Sequence, residues 1–366
     1  MKRASILTIA AANLARIPFK FKSRQPLITP QKALILKPCC ISQVMMATPL
    51  LAALSTAYPE ARFDWAVDRW SRPAVSGNVR ISRIVDTGAV FQGKGTRKDI
   101  GQLIAELKDR EYDTCFTPTR SALACYIAWR AGIPQRIGLD DTGRGFAHTI
   151  PVSTPKELTN QAVINLLLAQ VVGIDIDAGQ EYYPSDQARS RITELMVDEI
   201  KWYGKQPLVI IHPGGGENPL TSDVSKRWPV ERFSLLANKL GNELGAKIVL
   251  ISAENEKKLA ADMVGLMSAE VINMAGQLDL DQIGALAEVA DLYVGNDAGS
   301  THVAAAVGCK TLAIYGPSNP LLTAPYATKG KVMVIAPKGI SDPFSWEQGP
   351  TVSGAAAAAW ELLDGR

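Results

Sequence analysis

The feature that most constrains this chain is an alternation of short apolar runs with longer segments of helical periodicity. The runs 33–37, 62–68 and 114–118 each have the length and apolar content of a strand, and the segment 99–113 carries apolar residues at helical spacing. Strands that alternate with helices in this way build parallel sheets covered by helices on both faces. The sequence therefore predicts an α/β fold with doubly wound sheets.

This alternation occurs twice along the 366 residues. The first series ends near residue 139, and the second begins with the run 207–215 and continues to residue 317. A chain of this length is long enough for two domains of ordinary size. We therefore predict four parts, which are a basic arm over 1–30, a front lobe over 31–185, a rear lobe over 186–345 and a C-terminal helix over 346–366.

Charge is distributed unevenly along the chain. Residues 1–59 contain eight Lys or Arg and no Asp or Glu, although the whole chain has a net charge of only +3. Three interpretations of the arm remain open: a solvated tail or packed helix, an amphipathic segment that docks on anionic lipid, or a secretory signal. Asn13 and Arg16 interrupt the apolar stretch and disfavour the signal. The acidic remainder and the lack of a basic motif disfavour nucleic-acid binding.

The five cysteines show no metal-ligand spacing; they are Cys39, Cys40, Cys115, Cys125 and Cys309. Cys39 and Cys40 are adjacent and are therefore expected to be poorly placed to pair with each other. An odd number of scattered thiols is typical of a reducing compartment. No apolar run approaches the roughly 20 residues that span a bilayer. We therefore expect a metal-free cytoplasmic protein, with peripheral contact to the inner face of the membrane if the arm binds lipid.

A glycine-rich segment follows a predicted strand of the rear lobe. Gly214, Gly215 and Gly216 come just after His212, and a basic pair at 226–227 follows before the next helix. Consecutive glycines let the backbone approach a ligand closely and present amide groups to an anion. The segment therefore predicts an anion site built from backbone donors and a cation. The alternative is a mobile surface loop with one basic pair.

The segment NDAGSTH, residues 296–302, also follows a strand and begins a predicted helix. The amino terminus of a helix binds phosphate through its unpaired amides and its positive dipole end. Asp297 is predicted to orient an amide or a ribose hydroxyl, and His302 is predicted to donate to a phosphate oxygen. The alternative is that Asp297 only caps the helix and His302 belongs to the core. The glycine segment lies in the same lobe, and ligands of parallel sheets bind at the carboxyl ends of strands.

Glu256 lies just beyond the predicted strand 246–252 of the same lobe. A carboxylate at this end of a strand is able to accept hydrogen bonds from the hydroxyls of a ribose. The alternative is an ordinary solvated charge in the first turn of a helix.

These segments together resemble glycosyltransferase family nine, the ADP-heptose:lipopolysaccharide heptosyltransferases. The resemblance is carried by HPGGG (212–216), SKRWPVERF (225–233), VLISAENEKKLA (249–260) and the stretch 272–320 that contains NDAGSTH. It is specific in order and spacing over about 208–320, and the front half matches more loosely.

The resemblance implies the GT-B architecture, in which two Rossmann-like doubly wound lobes face a central cleft. It also implies a nucleotide-diphosphate-sugar donor on the rear lobe, with no cofactor and no metal. By this resemblance Lys226 holds the diphosphate, Glu256 the ribose, and His302 with its neighbours the donor phosphates and sugar. The predicted donor-binding residues are His212, Gly214, Gly215, Gly216, Lys226, Glu256, Asp297, Ala298, Gly299 and His302.

The front loop departs from the family. In the family this loop usually ends in Gly-Asp, and that Asp is the expected base, whereas the corresponding pair here is Ser42 and Gln43. A glutamine amide does not titrate near neutral pH and cannot accept a proton from a hydroxyl. Three explanations remain open. The acceptor is a better nucleophile, such as an amine, or is deprotonated by the leaving phosphate; or Asp140 or Asp141 serves as the base; or the chain binds without turnover.

The sequence therefore predicts an inverting, metal-independent glycosyltransferase that uses ADP-heptose or a related sugar nucleotide. The expected acceptor is lipopolysaccharide core, another glycan, a lipid-linked sugar or a small molecule, and Arg144 and His148 are predicted to contact it. Two alternatives are a catalytically silent sugar-nucleotide-binding protein of the same fold and a sugar-nucleotide epimerase.

Overall fold

The structure, a computed structural model, describes residues 26–339 and 343–364 and divides the chain into two compact units, Met1–Ala178 and Gly179–Arg366. The predicted basic arm and its membrane contact therefore lie outside the described residues, apart from 26–30. Within the described ranges, no helix has both the length and the apolarity needed to cross a bilayer. The division falls before the predicted boundary at residue 185, because the backbone of Gln180 already pairs with Tyr326 of the second unit at 2.8 Å.

The first unit is built on one six-stranded parallel sheet in the order β3-β2-β1-β4-β5-β6. Its strands are β1 (Lys32–Leu36), β2 (Arg62–Val67), β3 (Ile81–Asp86), β4 (Thr114–Thr117), β5 (Gln135–Leu139) and β6 (Ile150–Val152). Its helices are α1 (Ile41–Met45), α2 (Thr48–Ala57), α3 (Arg97–Asp109), α4 (Ala122–Arg130) and α5 (Gln161–Gln170).

The second unit repeats this topology with a six-stranded parallel sheet in the order β11-β10-β7-β12-β13-β14. Its strands are β7 (Leu208–His212), β10 (Lys247–Leu250), β11 (Val271–Asn273), β12 (Leu292–Asn296), β13 (Thr311–Ile314) and β14 (Val332–Ile335), and β8 (Glu217–Asn218) and β9 (Thr221–Ser222) form a small hairpin. Its helices are α6 (Asp186–Leu195), α7 (Val230–Leu244), α8 (Lys257–Gly265), α9 (Leu280–Val289), α10 (Gly299–Val307), α11 (Pro320–Thr323) and α12 (Val352–Asp364).

The central strands are continuous apolar runs because both faces of each sheet are buried. In β7, Val209 and Ile211 belong to one core cluster, and Leu208 and Ile210 belong to another. Successive side chains of a strand point to opposite faces, so a strand covered on both sides needs apolar residues at every position. The run LVII therefore fixes β7 in the middle of a layered α/β unit.

Each sheet has a topological switch point where the strand order reverses. In the first unit this point lies between β1 and β4, and in the second it lies between β7 and β12. In open parallel sheets, ligands bind at the carboxyl ends of the strands beside such a point. The loops after β1, β4, β7 and β12 are therefore the first places to look for a site.

One expectation about the cysteines is wrong. Cys39 and Cys40 form a disulfide in the loop between β1 and α1, and Cys115, Cys125 and Cys309 are free and buried. The expectation followed from the extended chain, in which adjacent side chains point to opposite sides. The chain is not extended in this way at Cys39 and Cys40, where the two sulfur atoms are bonded.

The sequence also missed several edge strands. β6 lies after residue 139, where the first predicted series ends, and no strand was predicted at β3 or β14. These strands lie at the edges of their sheets. β3 (ISRIVD) carries exposed polar residues and so lacks the apolar run that marks a central strand, and β6 has only three residues. β14 (VMVI) is an apolar run that was not assigned from the sequence. The predicted final helix begins only at Val352.

Candidate functional site

Three neighbouring strand ends of the second unit carry the candidate site. β7 ends at His212, β12 ends at Asn296, and β10 is followed by a short 3-10 turn, Glu254–Glu256. β7 pairs with β10 on one side and with β12 on the other. The residues that follow these strands therefore lie side by side at the carboxyl edge of the sheet, which includes the switch point.

The carboxylate of Glu256 is buried and binds the glycine segment. Its Oε1 accepts the Gly215 amide at 2.7 Å, and its Oε2 accepts the Ala253 amide at 3.0 Å. Arg227 Nη2 donates to Oε1 at 3.1 Å. Burial raises the pKa of Glu256, but the interaction with His212 and these two amides outweigh burial, and the pKa falls to about 2. Glu256 is therefore a fixed negative charge that braces the loop, and its contact with a ribose remains a prediction.

The glycine segment is packed too closely for side chains. A Cβ added at Gly214 would overlap the carboxylate of Glu256. Gly215 has φ +107°, a conformation that favours glycine, and lies against Ala298. The Gly215 amide is occupied by Glu256, so this amide is internal to the protein and does not face a ligand as the sequence suggested.

His212 belongs to a chain of polar contacts under the loop. Its Nδ1 lies 2.9 Å from Ser300 Oγ, which in turn accepts from Tyr293 Oη at 2.9 Å. Its Nε2 lies 3.6 Å from Oε2 of Glu256. Both ring nitrogens are therefore engaged with the protein, and the geometry makes His212 a support of Glu256.

The basic pair predicted at 226–227 divides into two roles. Arg227 Nε donates to the Gly215 carbonyl at 2.8 Å, so Arg227 holds the loop. Lys226 Nζ instead pairs with Oδ2 of Asp297 at 2.7 Å, and its side chain is 30% exposed. A lysine ammonium has three donors, so Lys226 is the cation of this pair that keeps capacity for a ligand.

Asp297 is not a helix cap. The N-cap residue of α10 is Ala298, which has no side chain able to accept from the helix amides. The carboxylate of Asp297 binds Lys226 instead. The amino terminus of α10 therefore keeps the electrostatic character that attracts anions, because its cap provides no competing acceptor.

Asn296, which the sequence analysis did not assign, connects the pieces of the site. It is fully buried; its Oδ1 accepts the Trp228 amide at 2.9 Å, and its Nδ2 donates to the carbonyls of Pro213 at 2.8 Å and Gly214 at 2.9 Å. One amide thus fixes the glycine segment to the start of α7. Its position as the last residue of β12, first in NDAGSTH, was the available signal.

His302 is fully buried in α10 and contacts a second unassigned residue, Gln180. Its Nδ1 lies 3.0 Å from Gln180 Nε2, and its Nε2 has no partner within the described part of the chain. Burial, only partly offset by Asp297, lowers the pKa of His302 to about 4. His302 is therefore a neutral imidazole near neutral pH, and a contact with a ligand would be a neutral hydrogen bond.

These residues form one cluster suited to a phosphorylated ligand. A lysine ammonium, the start of α10 and a buried neutral imidazole lie together at the carboxyl edge, and charge interactions link His302 to both Asp297 and Lys226. Cations and helix termini of this kind bind phosphate groups. Across residues 26–339 and 343–364, no group of three or more His, Cys, Asp or Glu side chains is arranged to hold a metal.

The first unit places a buried lysine at the end of β1. Lys37 is 4% exposed, and its Nζ donates to the Pro118 carbonyl at 2.9 Å and to Gln43 Oε1 at 3.4 Å. Burial and the nearby charge of Arg120 lower the pKa of Lys37 to about 7. Ser42 and Gln43, the predicted catalytic pair, lie in α1, and Gln43 is the residue that contacts this amine.

The two carboxylates proposed as replacement bases have different surroundings. Asp141 forms an ion pair with Arg120 through Oδ2, and its Oδ1 accepts from Thr154 Oγ1 at 2.6 Å. Asp140 Oδ1 accepts the Gly145 amide at 2.9 Å. Because both oxygens of Asp141 are bound by the protein, Asp141 is poorly suited to take a proton from a substrate.

The two predicted acceptor contacts also differ. Arg144 is half-buried, and its Nε donates to the Asp141 carbonyl at 3.2 Å. His148 is enclosed between Gly138 and Gly145, where an added Cβ would overlap its ring. Burial, with the charge of Arg136, lowers the pKa of His148 to about 3, and neither ring nitrogen has a partner among the described residues. Contact between His148 and an acceptor would therefore require this loop to move.

Comparison with known proteins identifies a family that matches most of the chain. Residues 100–341 match the family model described as glycosyltransferase family 9 (heptosyltransferase). Lipopolysaccharide heptosyltransferase 2 of Salmonella typhimurium is 27% identical over 320 residues, which cover 82% of this chain and 87% of that protein.

Two solved structures share the fold. The glycosyl transferase family 9 protein of Veillonella parvula superposes with a TM-score of 0.82 at 19% identity, over 94% of this chain and 100% of that one. The E. coli ADP-heptose lps heptosyltransferase II superposes with a TM-score of 0.71 at 23% identity, over 91% and 99%. The predicted fold class, GT-B with two Rossmann-like doubly wound lobes, is confirmed.

Proposed function

This chain belongs to glycosyltransferase family 9, the heptosyltransferases, and from that premise we propose that it transfers heptose from ADP-heptose to a nucleophilic acceptor, with inversion and without a metal ion. The observation that carries the proposal is the cluster of Lys226, the start of α10 and His302 at the carboxyl edge of the second unit. The similar E. coli structure is that of an ADP-heptose lps heptosyltransferase II, which supports this choice of donor.

In the proposed reaction, a lone pair of the acceptor attacks the anomeric carbon on the face opposite the diphosphate. The new bond to the sugar forms as the bond between the anomeric carbon and the phosphate oxygen breaks, and its electron pair leaves with ADP. A single displacement of this kind inverts the anomeric centre. Lys226 and the α10 amides stabilise the negative charge that grows on the leaving diphosphate, which is the role of preorganised donors in catalysis.

The acceptor must also lose a proton, and Gln43 cannot take it. Three solutions remain open: the acceptor is a better nucleophile such as an amine, the leaving phosphate takes its proton, or a protein side chain does. For the protein base, Lys37 fits better than Asp141, because its amine contacts Gln43 at 3.4 Å and makes no ion pair among the described residues. A pKa of about 7 leaves a substantial neutral fraction of Lys37 near pH 7, as a general base requires.

The acceptor is proposed from the relatives and from the first unit. The Salmonella relative is named for lipopolysaccharide, so an oligosaccharide or lipid-linked sugar of that type is the first acceptor to test. Arg144 in the loop after β5 is the proposed contact, since its guanidinium is half-buried and is able to bind anionic or polyhydroxyl groups.

The direct test incubates the purified chain with ADP-heptose and measures ADP release, with and without lipopolysaccharide-core acceptors. We expect acceptor-dependent release. Lys226→Ala is expected to lower kcat/KM by about 100-fold, because a charged donor to the leaving group is lost. Lys239→Ala, which removes an exposed lysine of α7 that pairs with Glu243, is the matched control and should leave the rate unchanged.

Other outcomes identify the alternatives. Donor binding without ADP release, whatever the acceptor, would identify a silent binding protein. Conversion of UDP-N-acetylglucosamine without an acceptor would identify an epimerase. Gln43→Asp separates the routes for the proton: a faster reaction means that a missing base limits the rate, and a slower one means that the glutamine itself is required.

A further inference from the structure

Gln180 is a buried polar residue at the start of the second unit, far in sequence from the site it contacts. It is 2% exposed, and its backbone N–H donates to the Tyr326 carbonyl at 2.8 Å. Its side-chain Oε1 accepts the Tyr326 amide at 2.9 Å. The side chain is thereby held in one place against the ring of His302.

These contacts decide the orientation of the Gln180 amide. A backbone N–H can only donate, so the atom that faces Tyr326 must be the oxygen. The nitrogen Nε2 then faces His302 Nδ1 at 3.0 Å, and Oε1 is farther from Nδ1, at 3.4 Å. The nitrogen of a side-chain amide donates hydrogen bonds and does not accept them, so His302 Nδ1 must be the acceptor.

The orientation of the amide fixes the proton on the ring. A neutral imidazole has one donor and one acceptor nitrogen, so an accepting Nδ1 places the hydrogen on Nε2. Nε2 is buried and has no partner in the part of the chain that the structure describes. A buried donor without a partner costs free energy in the folded protein and is available to a ligand.

We propose that Gln180 is a positioning residue that holds His302 in the Nε2–H tautomer, so that His302 offers a neutral hydrogen-bond donor to an oxygen of a bound nucleotide diphosphate sugar. This inference rests on the proposed donor site, to which His302 is linked by its charge interactions with Asp297 and Lys226. A neutral donor keeps its hydrogen through the pH range in which an ordinary histidine titrates.

The tautomer can be read directly by NMR. The chain has only three histidines, His148, His212 and His302, so ring ¹⁵N–¹H correlations of histidine-labelled protein contain three patterns. Single substitutions to Gln assign them. We expect His302 to carry its proton on Nε2 near pH 7, and we expect this signal to shift when ADP is added. A protonated Nδ1, or an Nε2–H signal unchanged by saturating ADP, would overturn the proposal.

Two variants separate positioning from a purely structural role. Gln180→Glu keeps an oxygen that accepts from the Tyr326 amide, but it presents a second carboxylate oxygen to His302 Nδ1. That oxygen only accepts, so it favours a hydrogen on Nδ1. We expect kcat/KM to fall at least tenfold from about pH 6 to about pH 8 relative to the parent, since the Nε2 hydrogen is then kept only by the charged ring. Gln180→Met, of similar volume, is expected to lose about tenfold at both pH values.

The control is Gln187→Glu, the same chemical change at an exposed position of the second unit. Its kcat/KM should match the parent at each pH. A Gln180→Glu profile parallel to this control would overturn the proposal. Failure to bind ADP at all would instead refute the proposed donor site, while the tautomer of the unliganded protein would still be read from the NMR experiment.

Discussion

Lys37 is a buried amine that makes no ion pair within the described residues. Its contacts are a carbonyl and a glutamine oxygen, where the family usually places a carboxylate. Gln43 has no negative charge to stabilise an ammonium, so burial and the charge of Arg120 lower the pKa of Lys37 to about 7. Glutamine in place of the expected carboxylate therefore removes the expected base and also leaves Lys37 without the negative charge that would keep its pKa high.

Lys37 predicts a pH dependence of stability. The unfolded chain keeps the lysine proton up to its ordinary pKa of 10.5, whereas the folded chain releases it above about 7. Between these values the unfolded state binds more protons, so the free energy of unfolding rises with pH. From pH 7 to pH 10 this group alone is expected to add about 3 kcal/mol.

Denaturant unfolding of the parent and of Lys37→Met at both pH values measures this contribution. Other groups titrate in both proteins and cancel in the difference. The variant should gain about 3 kcal/mol less than the parent on going to pH 10, and the exposed Lys239→Met should behave as the parent. Equal gains in parent and Lys37→Met would mean that Lys37 is charged and solvated in the folded protein.

At the scale of elements, the glycine segment after β7 is held between two neighbours. Glu256 binds it from the turn after β10, and Asn296 binds it from the end of β12. The loop is thus part of the sheet edge and not the mobile loop that was the alternative from sequence. Its rigidity comes from buried hydrogen bonds, which are costly to leave unmade.

Gly214→Ala tests this packing. The added methyl group would overlap the Glu256 carboxylate, so Glu256 must move and lose contacts. We expect a loss of about 1–3 kcal/mol in the free energy of unfolding and weaker binding of ADP. The control is Gly265→Ala at the exposed end of α8, where an added Cβ meets nothing within 4 Å. That change should be neutral or slightly stabilising, and a neutral Gly214→Ala would disprove the tight packing.

At the scale of the whole molecule, the chain consists of two units with the same strand order but different chemistry at their strand ends. The second unit has core clusters on both faces of its sheet and the cationic cluster at its carboxyl edge. The first unit has its own core and the Lys37 loop. If the donor binds as proposed, its diphosphate contacts residues of the second unit.

Hydrogen exchange with and without ADP tests this division. Protection should be strongest in residues 213–218 and 296–302 of the second unit and absent from β4 of the first. At an ADP concentration of about 100 times Kd, binding is expected to stabilise the folded state by about 2.7 kcal/mol. Lys226→Ala should reduce both effects, whereas equal protection across β4 would place the nucleotide elsewhere.

The sequence alone determined the kinds of element, their order and the doubly wound class, because periodicity is visible within short windows of residues. It also indicated which strands end in site residues, since His212 and Asp297 stand directly after or at the end of an apolar run. Edge strands such as β3 (ISRIVD) escaped prediction because packing against a single neighbour requires no continuous apolar run.

The tertiary structure alone decided which polar groups meet. Gln180 and His302 are 122 residues apart, and Asn296 and Pro213 are 83 apart. No local pattern predicts such pairs, because the choice of partner depends on how two distant segments pack. The same packing divided the basic pair, giving Arg227 to the loop and Lys226 to Asp297, and buried Lys37 where a charge is costly. Local periodicity determines which segments become strands and helices, and packing between distant segments determines which polar residues meet at the carboxyl ends of the strands.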